Sequence, residues 1–166
     1  MVDLVALTAT HDAVEAPAVD FDWYVPVTVT WPKRQRLLEP PVYRQISWHS
    51  GLLELKFHPR DNDLVEAVLI FPDQVDIEDH ALAPAPTDPN PSLIYRLRQK
   101  RGAEGPDFLH VTAHLDYLCV RFSTKVVVTW LGTDPVLFGQ SSDGDVVSMC
   151  VRWTEEERRR VLHIAR

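Results

Sequence analysis

Glycine is scarce in this sequence, with six residues among 166. Loops that bind phosphates or dinucleotides depend on clustered glycines, because only glycine lets the backbone approach a phosphate closely. The chain also lacks the hydrolase motif G-x-S-x-G, the zinc motif H-E-x-x-H and the pair C-x-x-C. We therefore predict no cofactor and no resident metal, and we favour a protein without enzyme activity.

Cysteine and long apolar runs are also rare. Cys119 and Cys150 are the two cysteines, and because both lie in apolar alternating stretches we expect buried reduced thiols rather than a disulfide or a metal pair. No apolar run approaches the roughly 18 to 20 residues that cross a bilayer. The N-terminus also lacks the Lys/Arg cluster of a secretory signal. These features predict a cytoplasmic protein that does not contact membranes.

Positive charge is scarce in the first part of the chain. The net charge is −7, and residues 1–90 hold 15 acidic against 6 basic residues, whereas residues 91–166 hold 9 against 11. Binding to nucleic-acid phosphates needs clustered Lys and Arg. One basic run, Arg96, Arg98, Lys100 and Arg101, lies on the predicted connecting helix, and we interpret it as a solvated helix face. An acidic surface instead favours a basic protein partner.

Two similar segments stand out among what is present. DNDLVEAVLIFPDQ, from Asp61, and DGDVVSMCVRWTEE, from Asp143, match at an offset of 82 residues. Alternate apolar positions in each are typical of a strand with one face on a core. The two apolar faces are Val65, Ala67, Leu69 and Phe71, and Val147, Met149, Val151 and Trp153. Because Val68 and Ile70 add apolar residues to the other face, we expect the first strand to be covered on both sides.

The similarity indicates one domain, residues 1–166, built from two similar halves at about 23–83 and 105–166. Each half offers about four strands by their apolar alternation. In the first half, Val42 to His49 and Leu52 to His58 flank Ser50-Gly51, a two-residue loop that would place His49 opposite Leu52. The predicted fold is α+β, a mainly antiparallel sandwich or partly closed barrel of about eight strands.

Helices are predicted after each half and between the halves. Thr154 and Glu157 form a capping box that begins a C-terminal helix, and DQVDIEDHALA is its weaker counterpart in the first half. Residues 84–104 combine a Pro-rich linker with a short connecting helix, because Pro91 suits a first helical position and Gly102 a helix end.

An acidic group around the first repeated segment is the candidate binding surface. It comprises Asp61, Asp63, Asp73, Asp76, Glu78 and Asp79. Exposed carboxylates steer and dock basic partners. We therefore predict a non-enzymatic protein that docks a basic protein and inhibits or scaffolds it. In this general build the chain is similar to bacterial immunity proteins, an analogy of type only.

A second interpretation starts from the tryptophans. The five are Trp23, Trp31, Trp48, Trp130 and Trp153. They could form a core, or they could line an apolar pocket between two sheets. The pocket would indicate a small-molecule-binding or cyclising β-barrel enzyme, in which a histidine or carboxylate supplies the proton.

Two metal interpretations are weaker than their structural alternatives. His110 and His114 would share an ion on a helix, but on a strand they lie about 13 Å apart. Because Val111 and Thr112 favour a strand, we expect a surface histidine pair. The motifs DND and DGD suggest calcium, but Asp, Asn and Gly are also typical of tight turns, which we favour.

Overall fold

The computed structural model describes residues 4–8, 16–22, 24–71, 74–82, 87–88, 93–97 and 108–164. It is a mainly β, sandwich-like protein of two sheets with a C-terminal helix, and the sheets do not form a closed barrel. The first strands are β1 Leu4–Thr8, β2 Ala18–Asp20, β3 Val27–Thr30, β4 Val42–Trp48, β5 Gly51–Phe57, β6 Leu64–Ile70 and β7 Asp76–Ile77, with a 3₁₀ helix at Pro32–Arg36. The later elements are β8 Thr87–Asp88, β9 Leu93–Leu97, β10 His110–Ala113, β11 Tyr117–Arg121, β12 Thr129–Thr133, β13 Val136–Gln140, β14 Asp145–Arg152 and α1 Glu155–Ile164.

The two sheets contain the same strand order. The small sheet runs β2-β3-β6-β5-β4, and the centre of the large sheet runs β10-β11-β14-β13-β12. Every neighbouring pair within these two orders is antiparallel. The large sheet gains β7 beside β10 and β8 beside β12, both parallel, while β1 pairs with β14 and β9. The two five-strand orders already give ten strands, and these four additions bring the described total to fourteen, against about eight predicted.

The main core lies between the two sheets. The two apolar faces expected from the repeated segments, Val65 to Phe71 and Val147 to Trp153, are buried. Aromatic rings fill this core: the ring centroid of Trp31, which follows β3 of the small sheet, lies 6.1 Å from that of Phe138 on β13 of the large sheet, and the ring centroid of Tyr95 on β9 lies 3.7 Å from that of Phe138. Alternation therefore identified the inward side chains from Ala67 and Met149 onwards, whereas earlier in each segment Leu64 and Val146 join the main core in place of Val65 and Val147.

The outer faces reverse the expectation that the first repeated strand is covered on both sides. On β14 the outer residues Ser148 and Cys150 are fully buried, whereas on β6 Ile70 is 40% exposed. The outer face of β14 is buried because the large sheet carries a second apolar cluster there, and other segments of the chain cover that cluster. That cluster contains Tyr117, Cys119, Leu137 and Cys150, with Leu82 and Trp130 packed against it.

Residues 76–82 and 87–88, which we call the covering segment, supply part of that cover. β7 lies at the β10 edge of the large sheet and β8 at the opposite, β12 edge. Leu82 packs on the outer cluster, and its N–H donates to Asp116 Oδ1 at 2.7 Å. The helix predicted for DQVDIEDHALA is therefore wrong over the described residues. As a strand, this segment forms backbone hydrogen bonds with the edge of β10, and a helix could not form them.

The connecting helix predicted within 84–104 is also wrong where the structure describes it. Leu93–Leu97 forms β9, antiparallel to β1, and Tyr95 is buried in the main core. The proline and glycine signals are local, whereas β1 lies far away in sequence, so long-range pairing overrides the local preference. The remaining residues of that predicted helix lie outside the described ranges.

The first hairpin turns one residue earlier than predicted. Ile46 pairs with Leu53 and Trp48 with Gly51, so the loop is His49-Ser50, and His49 takes a positive φ of 52°. The prediction was wrong, because it paired each residue of β4 with a residue two positions later in β5. Because side chains alternate with a period of two, this shift leaves Ile46 on the core face.

The predicted capping box is confirmed at the start of α1. Thr154 N donates to Glu157 Oε2 at 2.7 Å, and Glu157 N donates to Thr154 Oγ1 at 3.2 Å. Val161 is buried against the main core, so the helix closes one part of the sandwich.

The expectation of two reduced thiols is wrong, because Cys119 and Cys150 form a disulfide. The two residues are direct cross-strand partners on β11 and β14. Nothing in the separate apolar stretches shows that these strands are neighbours, so the sequence could not reveal the pairing.

Candidate functional site

Two of the six predicted docking carboxylates are engaged inside the fold. Lys33 Nζ lies 2.6 Å from both Asp61 Oδ2 and Asp63 Oδ2, and Arg96 Nε donates to Asp63 Oδ1 at 2.7 Å. Burial raises the pKa of Asp61, but the hydrogen bonds from Lys33 and from the Asp63 N–H, together with the charge of Lys33, outweigh it, so the pKa lies below its usual value. Asp63 is itself buried. These two side chains therefore join β6 to the 3₁₀ helix and to β9.

The second Asp-x-Asp turn binds a lysine in the same way. Lys125 forms ion pairs with both Asp143 and Asp145. The hydrogen bond from Lys125 lowers the pKa of Asp143 to about 2. The central residues Asn62 and Gly144 both have positive φ, 61° and 84°, so the turn interpretation is confirmed. In each turn a lysine ammonium lies between the two carboxylates. Sequence patterns do not indicate this arrangement, because each lysine is distant along the chain from its two aspartates.

The three other predicted docking carboxylates that the structure describes lie along one edge of the large sheet. The side chains of Asp76, Glu78 and Asp79 are 64%, 47% and 95% exposed. Two apolar side chains share this edge: Ile77 is 49% exposed and Leu115 is 46% exposed. We call these five residues the acidic edge. Asp73, the sixth predicted docking residue, lies outside the described residues.

Backbone pairing explains why these residues lie together. Ile77 is paired with Ala113 in parallel register. Glu78 N donates to Ala113 O at 2.9 Å, and Leu115 N donates to His80 O at 3.1 Å. Residues 76–80 therefore follow β10 and the turn after it, which places Leu115 beside the carboxylates.

Each carboxylate of the acidic edge also has a basic neighbour. His110 Nε2 lies 3.1 Å from Asp76 Oδ2, His80 Nδ1 lies 3.4 Å from Glu78 Oε2, and Arg158 Nη2 lies 3.9 Å from Asp79 Oδ1. The three carboxylates are exposed, the histidine contacts are ion pairs only when the ring is protonated, and pairs at a protein surface contribute little, about 0 to 1 kcal/mol. A partner's cations can therefore replace these neighbours at small cost.

The two histidines considered for metal binding have separate surroundings. His110 lies on β10, so the strand interpretation is confirmed, and it contacts Asp76. The His114 ring lies 5.4 Å from that of His80. Burial, and then the charge of His80, lower the pKa of His114. Within the described ranges, no three His, Cys, Asp or Glu side chains are grouped as metal ligands.

The three tryptophan side chains that are described belong to two different clusters. Trp31 and Trp153 are buried in the main core, where Trp153 lies 6.3 Å from Phe21. Trp130 packs on the outer cluster beside the disulfide. Trp23 and the side chain of Trp48 lie outside the description, so the predicted five-ring pocket stays a prediction.

A cleft that the sequence did not suggest lies at the entrance to β4. It is lined by Arg36, Leu37, Leu38, Glu39, His58, Pro59 and Arg60 and measures about 100 Å³. Pockets for drug-sized ligands usually measure about 300 to 1,000 Å³. Arg60 is already paired with Glu39 across it, so the cleft fits no such ligand.

Comparison with known proteins does not supply a family. No protein-family model matches the chain, and no curated protein is significantly similar to it. Among the described helical residues, none forms a stretch long and apolar enough to span a membrane.

Proposed function

We propose that this chain is a non-enzymatic binding protein that docks a basic protein through the acidic edge. The observation that carries the proposal is the exposure of Ile77 and Leu115 beside Asp76, Glu78 and Asp79. Protein interfaces commonly combine an apolar centre with a polar rim. Carboxylates at the rim raise the association rate and select a partner of opposite charge.

We propose a smaller docking surface than the six residues predicted from the sequence. Asp61 and Asp63 are committed to Lys33 and Arg96, so a partner would have to break internal ion pairs to reach them. We therefore omit both from the proposed surface. The partner is inhibited or held in place by being covered, as in the immunity-protein analogy.

Pull-down from the native host tests this proposal, with the double variant Asp76→Lys/Asp79→Lys beside the wild type. We expect the wild type to retain a basic protein at low salt and to release it at high salt, because exposed charges are screened. The double variant should lose that protein.

The matched control is Asp20→Lys/Glu39→Lys, which changes the net charge equally at exposed positions elsewhere. It should retain the partner. Equal loss in both double variants would show that overall charge, and not the acidic edge, determines binding. Retention by the acidic-edge variant would contradict the proposal directly.

We also infer that the two halves derive from one structural unit. The shared five-strand order supports this. An Asp-x-Asp turn with a positive φ at its centre also supports it, because such a turn leads into β6 in the small sheet and into β14 in the large sheet. Homologous chains test the inference, because a duplication predicts relatives whose two segments are more alike than here.

The cytoplasmic location stays a prediction. The Cys119–Cys150 disulfide argues against it, because disulfides form and persist mainly in oxidising compartments. The small-molecule or cyclising function also stays a prediction, and the division of the described tryptophans between two clusters does not support it.

A further inference from the structure

Strand β4 is the long open edge of the small sheet. It ends the strand order, and no other described strand pairs with its outer side. In the large sheet, by contrast, β7 and β8 lie beside the edges of β10 and β12. An unprotected edge strand is a ready template for pairing with another strand. The seven residues of β4 therefore form a possible interaction surface.

The register of the first hairpin shows which backbone groups of β4 face outward. Trp48 and Gly51 close a two-residue loop, and such a closing pair exchanges both of its backbone hydrogen bonds. Even-numbered residues of β4 therefore bond to β5, and the N–H and C=O groups of Tyr43, Gln45 and Ser47 point away from it. In agreement, Arg44 Nη1 donates to the Tyr43 carbonyl at 3.2 Å, which requires that oxygen to be accessible.

We propose that β4 binds a second copy of this chain, strand to antiparallel strand, about a twofold axis at Gln45. Gln45 then lies opposite the partner's Gln45, and Tyr43 lies opposite the partner's Ser47. The two small sheets, of five strands each, become one continuous sheet across the dimer. Such an isologous contact closes on itself and does not extend into fibres.

Backbone pairing selects this register. It matches all three outward-facing residues of one strand with all three of the other, which forms about six hydrogen bonds. A shift by two residues leaves at least one outward residue on each strand without a partner. The Arg44 guanidinium must leave the Tyr43 carbonyl, but it remains exposed and returns to water at little cost.

The side chains of β4 are compatible with self-pairing. Arg44 is its one charged residue, and the twofold register places it opposite the partner's Ile46, so like charges do not face each other directly. Tyr43 is 59% exposed and packs beside the partner's small Ser47. No proline or acidic residue in β4 opposes the contact. Because β4 belongs to the small sheet and the acidic edge to the large one, this proposal and the proposed function can fail separately.

Cysteine cross-linking tests the register. Gln45 is the position that meets its own copy on the twofold axis, so Gln45→Cys should form a disulfide-linked dimer in oxidising buffer. Tyr43→Cys is the matched control, since it is also exposed but faces the partner's Ser47, and it should form little dimer. Equal cross-linking of the two variants would overturn the proposed register.

Sedimentation over a dilution series tests the dimer without cross-links. An interface limited to one strand pair is small, so we expect a dissociation constant of about micromolar or weaker. Gln45→Pro should remain a monomer, because proline removes the central outward N–H, and its fold should persist because sheets tolerate proline at an open edge. Gln45→Thr should dimerise as the wild type does. A wild type that stays monomeric throughout, or a Gln45→Pro that dimerises equally, would overturn the proposal.

Discussion

The small sheet and the central strands of the large sheet differ in what covers them, although they share one strand order. The outer face of the large sheet buries Leu137, Ser148 and Cys150, whereas that of the small sheet leaves Ile70 40% exposed. The covering segment and the disulfide belong to the cluster that buries Leu137 and Cys150. Strand order alone therefore does not decide whether a sheet becomes the interior or the surface of a protein.

The outer face of the small sheet is correspondingly polar. Arg34 Nε donates to Glu66 Oε2 at 2.9 Å, and Gln45 Nε2 donates to Glu54 Oε2 at 2.7 Å. Lys56 lies between the carboxylates of Glu54 and Glu66. Cross-strand pairs of this kind are typical of a sheet face in contact with water. The comparison thus predicts different costs for changes on the two outer faces.

Removal of the disulfide should have the largest effect. The double variant Cys119→Ala/Cys150→Ala opens a loop of 31 residues, and this should reduce the free energy of unfolding by about 3 to 4 kcal/mol. Urea unfolding measures the loss. Reductant should lower the stability of the wild type by a similar amount and leave the variant unchanged. A variant as stable as the wild type would show that the covering segment alone holds the large sheet.

Truncation of an outer-face leucine compares the sheets directly. Leu137→Ala removes a buried side chain of the large sheet and should cost about 2 to 4 kcal/mol. Leu52→Ala removes a half-buried side chain of the small sheet and should cost about 1 kcal/mol. Urea unfolding of both variants supplies the two values. Equal costs would contradict the difference in cover.

Replacement of a lysine at one Asp-x-Asp turn should have the smallest effect. Lys125→Met should raise the pKa of Asp143 from about 2 towards its ordinary value of 3.8, because the bond from Lys125 is the largest cause of the shift. Carboxyl NMR during a pH titration measures this. Since the folded pKa lies below the unfolded one, the contribution of Asp143 to stability is present above about pH 4 and is lost as the pH falls towards 2. The advantage of the wild type over the variant should therefore narrow in that window.

Lys33→Met is the matched control at the other turn. It should raise the pKa of Asp61 and leave that of Asp143 unchanged. If both variants shifted Asp143, the two turns would not be independent, and the effect of Lys125 would not be local.

Local patterns predicted the parts of the fold that depend on neighbouring residues. The inward faces of β6 and β14 follow from alternation, and the start of α1 follows from Thr154 and Glu157. Two errors arose where distant segments meet, since β9 pairs with β1 and Cys119 with Cys150. The register of the first hairpin was a local error. For the acidic residues, composition identified the group. It could not show that Lys33 engages Asp61 and Asp63, because that contact depends on the 3₁₀ helix lying beside the turn.

The two sheets also differ in how much of the chain each requires. The small sheet uses only residues 18–70, which are continuous in sequence. The large sheet pairs β1 with β14, and β7 and β8 with strands that follow them in the chain. During synthesis, which runs from the N-terminus, the small sheet can therefore assemble while the rest is still being translated. Strand β1, by contrast, can pair with β9 only after residue 97 has been translated and with β14 only after residue 146, so its pairing is completed late although it is made early.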